Sequence, residues 1–362
     1  MKKIICIAII LYSLILPITA EDLSVYEKQY DALGIGDLER NSMSGDVEFS
    51  VDISLDEGIG GIWKKIRFSI RDIFSDGLSL ATAFVIISFL STSIATLFAE
   101  NGEVVKRAVA FCASCAVCVL VTSRITGVMT MGDEFISSLE MFLKALIPTL
   151  AAAEALCGSP SAGVAKAGAT ILFSNILIHL IRNVFYPLVY MRIFVAAASC
   201  ATENETLKKV SALISKIMKS TLKIFLGLYV SYITVSGIVS GSVDKFGVSA
   251  TRLAAGSVPV VGGIIARASG TVLTGAGLLK NSVGIYATLV IASSFVTPFL
   301  TMAVNYILFR GASALSSPML GGGISSLSDS VADSFGEVLA LCASAALVSF
   351  ISIIATMIGV GG

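Results

Sequence analysis

Four stretches of this chain run for twenty or more residues without a formal charge: 77–99, 224–243, 281–309 and 338–362. A spanning helix needs about 20 mostly apolar residues, because its backbone must satisfy itself across a hydrocarbon core about 30 Å thick. Two more stretches qualify with charges inside them: 108–132 carries Arg124, and 167–201 carries His179, Arg182 and Arg192. Only 14% of the residues are charged, against about 25% in a soluble domain. The expected fold is an all-α polytopic membrane protein with six to eight transmembrane helices.

The net charge of zero hides an uneven layout. Residues 21–77 hold 13 acids and 6 bases, whereas 78–362 hold 12 acids and 17 bases. Met1-Lys2-Lys3 precedes an apolar run from Ile4 to Leu16, then Pro17-Ile18-Thr19-Ala20 before Glu21. That order reads as a signal peptide over 1–20, with an uncleaved anchor as the alternative because Ile18 is unusual three residues before the cut. Residues 21–61 read as a weakly structured, acidic extracytoplasmic region. From 62 to 76, Ile62, Ile66, Ile70 and Phe74 recur every four residues beside Lys64, Lys65, Arg67 and Arg71. The pattern fits an amphipathic interfacial helix or a lead-in packed on the first span. The transmembrane domain then occupies 77–362.

Two segments are short or glycine-broken for spans: 145–158 with Pro148 and Glu154, and 254–277 with Pro259, Gly262, Gly263 and Arg267. They read as re-entrant hairpins or as poor crossings. With residues 21–77 outside and both segments re-entrant, Lys106, Arg107, Arg310 and the basic stretch 203–223 fall inside. Asp133, Glu134 and Glu140 then form an outer loop, in accord with the positive-inside rule. Pro148 and Pro259 are 111 residues apart, as are Pro187 and Pro298. This spacing suggests an internal duplication, with repeats 104–205 and 215–316. Broken segments at matching places in two halves point to a transport pathway.

Glu154, His179, Arg182 and Arg267 are ionisable groups within apolar stretches, where a charge faces protein or a water-filled cavity. They are candidate pathway residues, with snorkelling or structural pairing as the bland reading. Pro148, Pro187, Pro259, Gly262, Gly263 and Pro298 are candidate hinges. Lys208, Lys209, Lys216 and Lys219 form a candidate cytoplasmic docking surface. Cys112, Cys115 and Cys118 sit three apart on one span, a spacing suited to helix contact rather than to wrapping a cluster. His179 is the single histidine, and no P-loop, nucleophile elbow or basic tract with aromatics is present. Catalytic, metal, cofactor and nucleic-acid sites are therefore not expected; the expected surroundings are the lipid bilayer.

Lys144-Ala-Leu-Ile-Pro-Thr-Leu150 and the run from Val243-Asp244-Lys245 through Ser257-Val-Pro-Val-Val-Gly262 to Leu278-Leu-Lys-Asn-Ser-Val-Gly284 resemble the stage III sporulation protein AE family. The resemblance extends over nearly the whole chain in order of elements. It implies a membrane subunit of the secretion-like channel between mother cell and forespore in endospore-forming bacteria, in the mother-cell membrane around the forespore. The partners it implies are other stage III sporulation membrane proteins and a cytoplasmic secretion-type ATPase, with a homo-oligomer also open. No catalytic residues follow from it. The other reading of the duplicated core is a stand-alone secondary transporter of a small solute.

Overall fold

Ser54-Leu-Asp-Glu57 opens the first helix as a capping box. The Glu57 amide donates to Ser54 Oγ (3.3 Å), and the Ser54 amide donates to Glu57 Oε2 (3.4 Å), so two orphan donors are satisfied reciprocally. The computed structural model describes residues 54–97, 103–157, 160–202, 204–256, 261–316 and 322–358, without the side chains of 236–280 and of a few helix-end residues. The expected signal peptide, the acidic region before Ser54, Pro259 and the Arg267 side chain lie outside that description. No strand occurs among the described residues.

The helices are α1 (Leu55–Leu97), α2 (Glu103–Leu156), α3 (Pro160–Leu180), α4 (Tyr186–Thr202), α5 (Glu205–Gly256), α6 (Val261–Ser316) and α7 (Gly322–Ile358). A π-helical turn, Ile181–Phe185, joins α3 to α4, so six continuous rods result. Pro160 starts α3, where its missing N–H costs nothing, and Asn204 caps α5 by accepting from the Thr206 amide at 2.8 Å. Among the described residues, five segments are long and apolar enough to cross a membrane: Leu55–Ile94, Arg107–Leu156, Gly163–Thr202, Asn281–Leu315 and Ser326–Ala355. The sixth expected span, 224–243, runs into residues whose side chains lie outside the description.

Neighbours in space fix the direction of each rod. Along α2 and α3–α4, Glu154 meets Lys166, Asp133 meets Arg182 and Thr126 meets Tyr190, which makes them antiparallel. Phe135 lies on Phe295 and Phe142 on Tyr286, so α6 is antiparallel to α2. Gly58 abuts Leu289 and Phe84 abuts Phe309, so α1 runs with α6. Ser215 meets Glu337 and Tyr229 meets Val348, so α5 runs with α7. The six rods therefore alternate up and down in chain order. The last helix, α7, packs against α2, α3, α4, α5 and α6 and is the keel of the bundle. Its small buried residues Ala332, Ser334, Ser344, Ala345, Ala346 and Ser352 let five neighbours approach closely.

Two expectations need correction. Residues 133–144 are not a loop, and 145–156 is not a separate broken piece: both continue α2, which is 54 residues long, about 80 Å at 1.5 Å per residue. The stretch contains no glycine between Asp133 and Pro148. Its apolar positions Phe135, Ile136, Leu139, Phe142, Leu143, Leu146 and Ile147 form one buried helical stripe. Asp133 pairs with Arg182 on the packed α3–α4 rod, and Glu140 with Lys144 one turn on. Pro148 is carried inside the helix, with Thr149 Oγ1 donating to the Ala145 carbonyl at 3.1 Å in the same turn. Pro298 is likewise inside α6. Pro187 differs: it follows the π turn, where the Tyr186 amide reaches back to Ile181, so its missing donor falls at the seam.

Gly132 marks the tightest crossing. A Cβ there would lie 2.9 Å from Cys342 Sγ, 3.2 Å from Tyr186 Oη and 3.4 Å from Met302 Cε. Four elements meet at this point, and Cys342 and Met302 are fully buried. Gly132→Ala is expected to destabilise by about 1–3 kcal/mol through overpacking, read as a lowered melting midpoint in mild detergent. An unchanged midpoint would mean that the helices separate freely here.

Candidate functional site

The keel carries Asp329, Asp333 and Glu337 at intervals of four, hence on one face. Three other helices each bring a cation to that face. From α6, Arg310 bonds Asp329 Oδ1 through Nη1 (2.7 Å) and Asp333 Oδ1 through Nη2 (2.9 Å), with its guanidinium 5.7 Å from the centre of the Tyr306 ring. From α4, Arg192 reaches Asp333 Oδ2 (3.1 Å) and Glu337 Oε1 (2.7 Å). From α5, Ser215 Oγ donates to Glu337 Oε1 (2.6 Å), and Lys219 Nζ stands 3.8 Å from the same oxygen. Three acids and three bases make the ladder neutral. Its rungs go from open to buried: the Asp329 side chain is 46% exposed, Asp333 29% and Glu337 2%.

A second polar centre lies at the other end of α7. Lys166 and Glu154 form a fully buried ion pair, Nζ to Oε1 at 2.7 Å. The same ammonium donates to the Ala355 carbonyl at 2.9 Å, within the last turn of α7, where carbonyls lack helical partners. Gly163 makes the approach possible, since a Cβ there would sit 3.0 Å from the Ala151 carbonyl oxygen. Beside the pair, Thr170 hydrogen-bonds Ser352, and Tyr229 Oη donates to the Val348 carbonyl at 3.0 Å. Along α7, Asp333 and Ser352 are 19 residues apart, about 28 Å. Between them the helix buries Val338, Leu341, Cys342, Ala345 and Val348.

A third cluster sits on the α2 surface opposite the π turn. Arg182 Nε meets Asp133 Oδ1 at 2.5 Å, its Nη2 donates to Ser137, and Glu140 is 3.9 Å from Nη1 and paired with Lys144 at 2.9 Å. His179 is exposed and within 3.0 Å of Asn183.

The four candidate pathway residues are thus not brought to one place. Glu154 belongs to the buried pair, Arg182 to the α2 surface, His179 to the periphery, and Arg267 lies outside the described side chains. Gly262 and Gly263 fall in the first turn of α6. Lys208, Lys209, Lys216 and Lys219 occur on the first four turns of α5 and are exposed, with Lys219 leaning toward the ladder. Among the described residues no group of three or more His, Cys, Asp or Glu could hold a metal ion.

A sequence profile described as stage III sporulation protein AE (spore_III_AE) matches residues 38–361. The chain belongs to this family. The stage III sporulation protein AE of Bacillus subtilis (strain 168) is 23% identical over 294 residues, covering 80% of this chain and 74% of that protein. No solved structure matches. Family and fold together give a multi-pass membrane protein with a role in sporulation, in a family that is not a known enzyme class.

Sequence reasoning passed over Lys166, Asp333 and Glu337. Lys166 directly precedes the apolar run 167–201 and reads as its solvated flank. Asp333 and Glu337 precede the run 338–362 in the same way. The available signal for the ladder was the spacing of four through 329, 333 and 337, which places three acids on one face of a helix.

Proposed function

We propose that this protein is a membrane subunit of the secretion-like channel joining mother cell and forespore, seated in the mother-cell membrane with its N-terminus outside the cytoplasm. It works with the other stage III sporulation membrane proteins and a cytoplasmic secretion-type ATPase. Membership of the family carries the sporulation role. The observation that supports a subunit, rather than a free-standing carrier, is an excess of uncovered apolar surface. On α2 alone, exposed apolar side chains extend from Val104 through Phe111, Val119 and Met141 to Leu156. That is 53 residues, about 78 Å of helix from first to last, more than twice the hydrocarbon thickness. The exposed Ile86, Phe89, Leu90, Ile94 and Leu97 of α1 lie past Phe84, the residue that packs on α6 beside the ladder. Partner proteins are the natural cover for what one bilayer leaves bare.

The small-solute reading has less support. The apolar cleft lined by Leu139, Leu143, Ser174, Leu177 and Val348 has room for about one water molecule, far less than a small-molecule site of about 300–1,000 Å³. The matching order of elements, α2 then α3–α4 and α5 then α6, each antiparallel, suits a duplicated origin under either function.

Deletion of the gene in the sporulating host is the test. Small forespores with silent late gene expression after engulfment, restored by the wild-type gene, are expected. Normal spores in a genome without a second copy, together with solute uptake by liposomes holding this protein alone, would put the transporter in its place.

A further inference from the structure

The first five turns of α5 have three faces. Ser211, Ile214, Ser215, Met218 and Leu222 are buried against the bundle. Lys209, Lys216 and Lys223 recur every seven residues, are exposed, and have no acidic partner among the described residues. Between them runs an exposed apolar stripe: Val210 (39%), Leu213 (56%), Ile217 (50%) and Ile224 (64%). The spacing of three and four is that of a heptad seam, with β-branched residues at each a position (Val210, Ile217, Ile224), Leu213 at the first d and the small Ser220 and Gly227 at the next two, and a lysine at each g. A seam of this kind is complete only when a second helix fills it.

The stripe begins outside the apolar interior. α5 and α7 run side by side, and Ser215 is level with Glu337, so Val210 and Leu213 lie toward the open end of the ladder, where Asp329 and Arg310 meet solvent. A lipid face alone does not account for apolar side chains at that level. A second copy of the same seam is also a poor fit: its e positions, Ile214 and Thr221, carry no acid, and its g positions would oppose lysine to lysine. α1 begins at the opposite end of the bundle, where Gly58 lies beside Leu289.

We propose that α5 from Lys209 to Leu228 is a docking surface for one amphipathic helix of a partner protein, with apolar residues at a and d and acidic residues on the flank facing the lysines. This rests on the reading of the chain as a subunit and supplies the chemistry of the helix it takes. Lys219, which touches buried Glu337 at 3.8 Å from the same helix, ties the docking surface to the ladder.

The full chain in phosphatidylcholine nanodiscs, titrated with two fluorescent three-heptad helical peptides, tests this. Both peptides carry Ile and Leu at a and d; one has Glu at e and g, the other Lys. The Glu peptide is expected to bind about tenfold more tightly, the sum of three modest charge pairs. Lys209→Glu/Lys216→Glu/Lys223→Glu should reverse the order, and the triple Gln variant should abolish the preference without reversal. Leu213→Ser/Ile217→Ser should weaken the Glu peptide by about tenfold. A preference that survives the charge reversal overturns the proposal. So does one that vanishes when phosphatidylglycerol replaces phosphatidylcholine, which would assign the lysines to lipid headgroups. The forespore phenotype is read separately, so a peptide that fails to bind leaves the subunit role standing.

Discussion

Arg192→Met is expected to destabilise the protein by about 3–5 kcal/mol, because it leaves two carboxylates without their buried cation. The Arg192 side chain is 4% exposed and serves Asp333 and Glu337 at once. Glu337 then keeps only the Ser215 hydroxyl and a lysine 3.8 Å away. Arg310→Ala removes as many ion pairs on paper, yet its side chain is 41% exposed, and exposed pairs contribute about 0–1 kcal/mol. Removing both charges at the buried rung, as Arg192→Met/Glu337→Leu, is expected to recover most of the loss, since apolar pairs of similar volume replace buried ion pairs at little cost. Melting midpoints of the three variants in one detergent check the order. If Arg192→Met and Arg310→Ala fall by the same amount, the burial gradient along the ladder does not control its strength.

Such an arrangement explains why a bundle of long rods needs charges at all. Apolar faces do not choose among partners in lipid, since the acyl chains are as apolar as leucine. A rung that matches Asp333 to both Arg192 and Arg310 holds α4, α6 and α7 in a single register. Sliding α4 by one turn toward the start of α7 would leave buried Glu337 without Arg192, and one turn the other way would take Arg192 off Asp333. Register is thereby specified by electrostatics where hydrophobic packing leaves it open.

The spans were legible because twenty uncharged residues admit few alternatives, and the described residues of the runs 77–99, 281–309 and 338–362 all lie in long helices. Their true ends were not. Asp133, Glu134 and Glu140 looked like a solvated loop because charge was counted along the chain, whereas Arg182 is 49 residues away from Asp133 in sequence and adjacent in space. Pro148 looked like a break because proline removes one hydrogen bond, but Phe142, Leu146 and Leu150 bury the same stripe on both sides of it and hold the helix together. Glu154 was singled out for its cost in an apolar stretch, and its partner was missed because Lys166 stands at the edge of a run rather than inside one. Pairing is a property of the fold, and one sequence shows only the residues that will need it.

Lys166→Met, the second large effect, separates brace from pathway. It strands Glu154, fully buried with Oε2 already lacking a hydrogen bond, and uncaps the Ala355 carbonyl. A loss of about 3–5 kcal/mol is expected, enough to abolish accumulation in a protein of ordinary marginal stability. Glu154→Gln is expected to cost less, because its amide oxygen still accepts from the ammonium. The double variant Glu154→Leu/Lys166→Met removes both charges and should return to near wild-type melting. If the pair only clamps α2 and α3 to the end of α7, forespores carrying the double variant develop normally. If the pair is needed for conduction, the same well-folded protein assembles yet leaves the forespore small and silent. A double variant that melts as low as Lys166→Met would refute the pairing account itself, since the cost would then lie in lost packing and not in an abandoned charge.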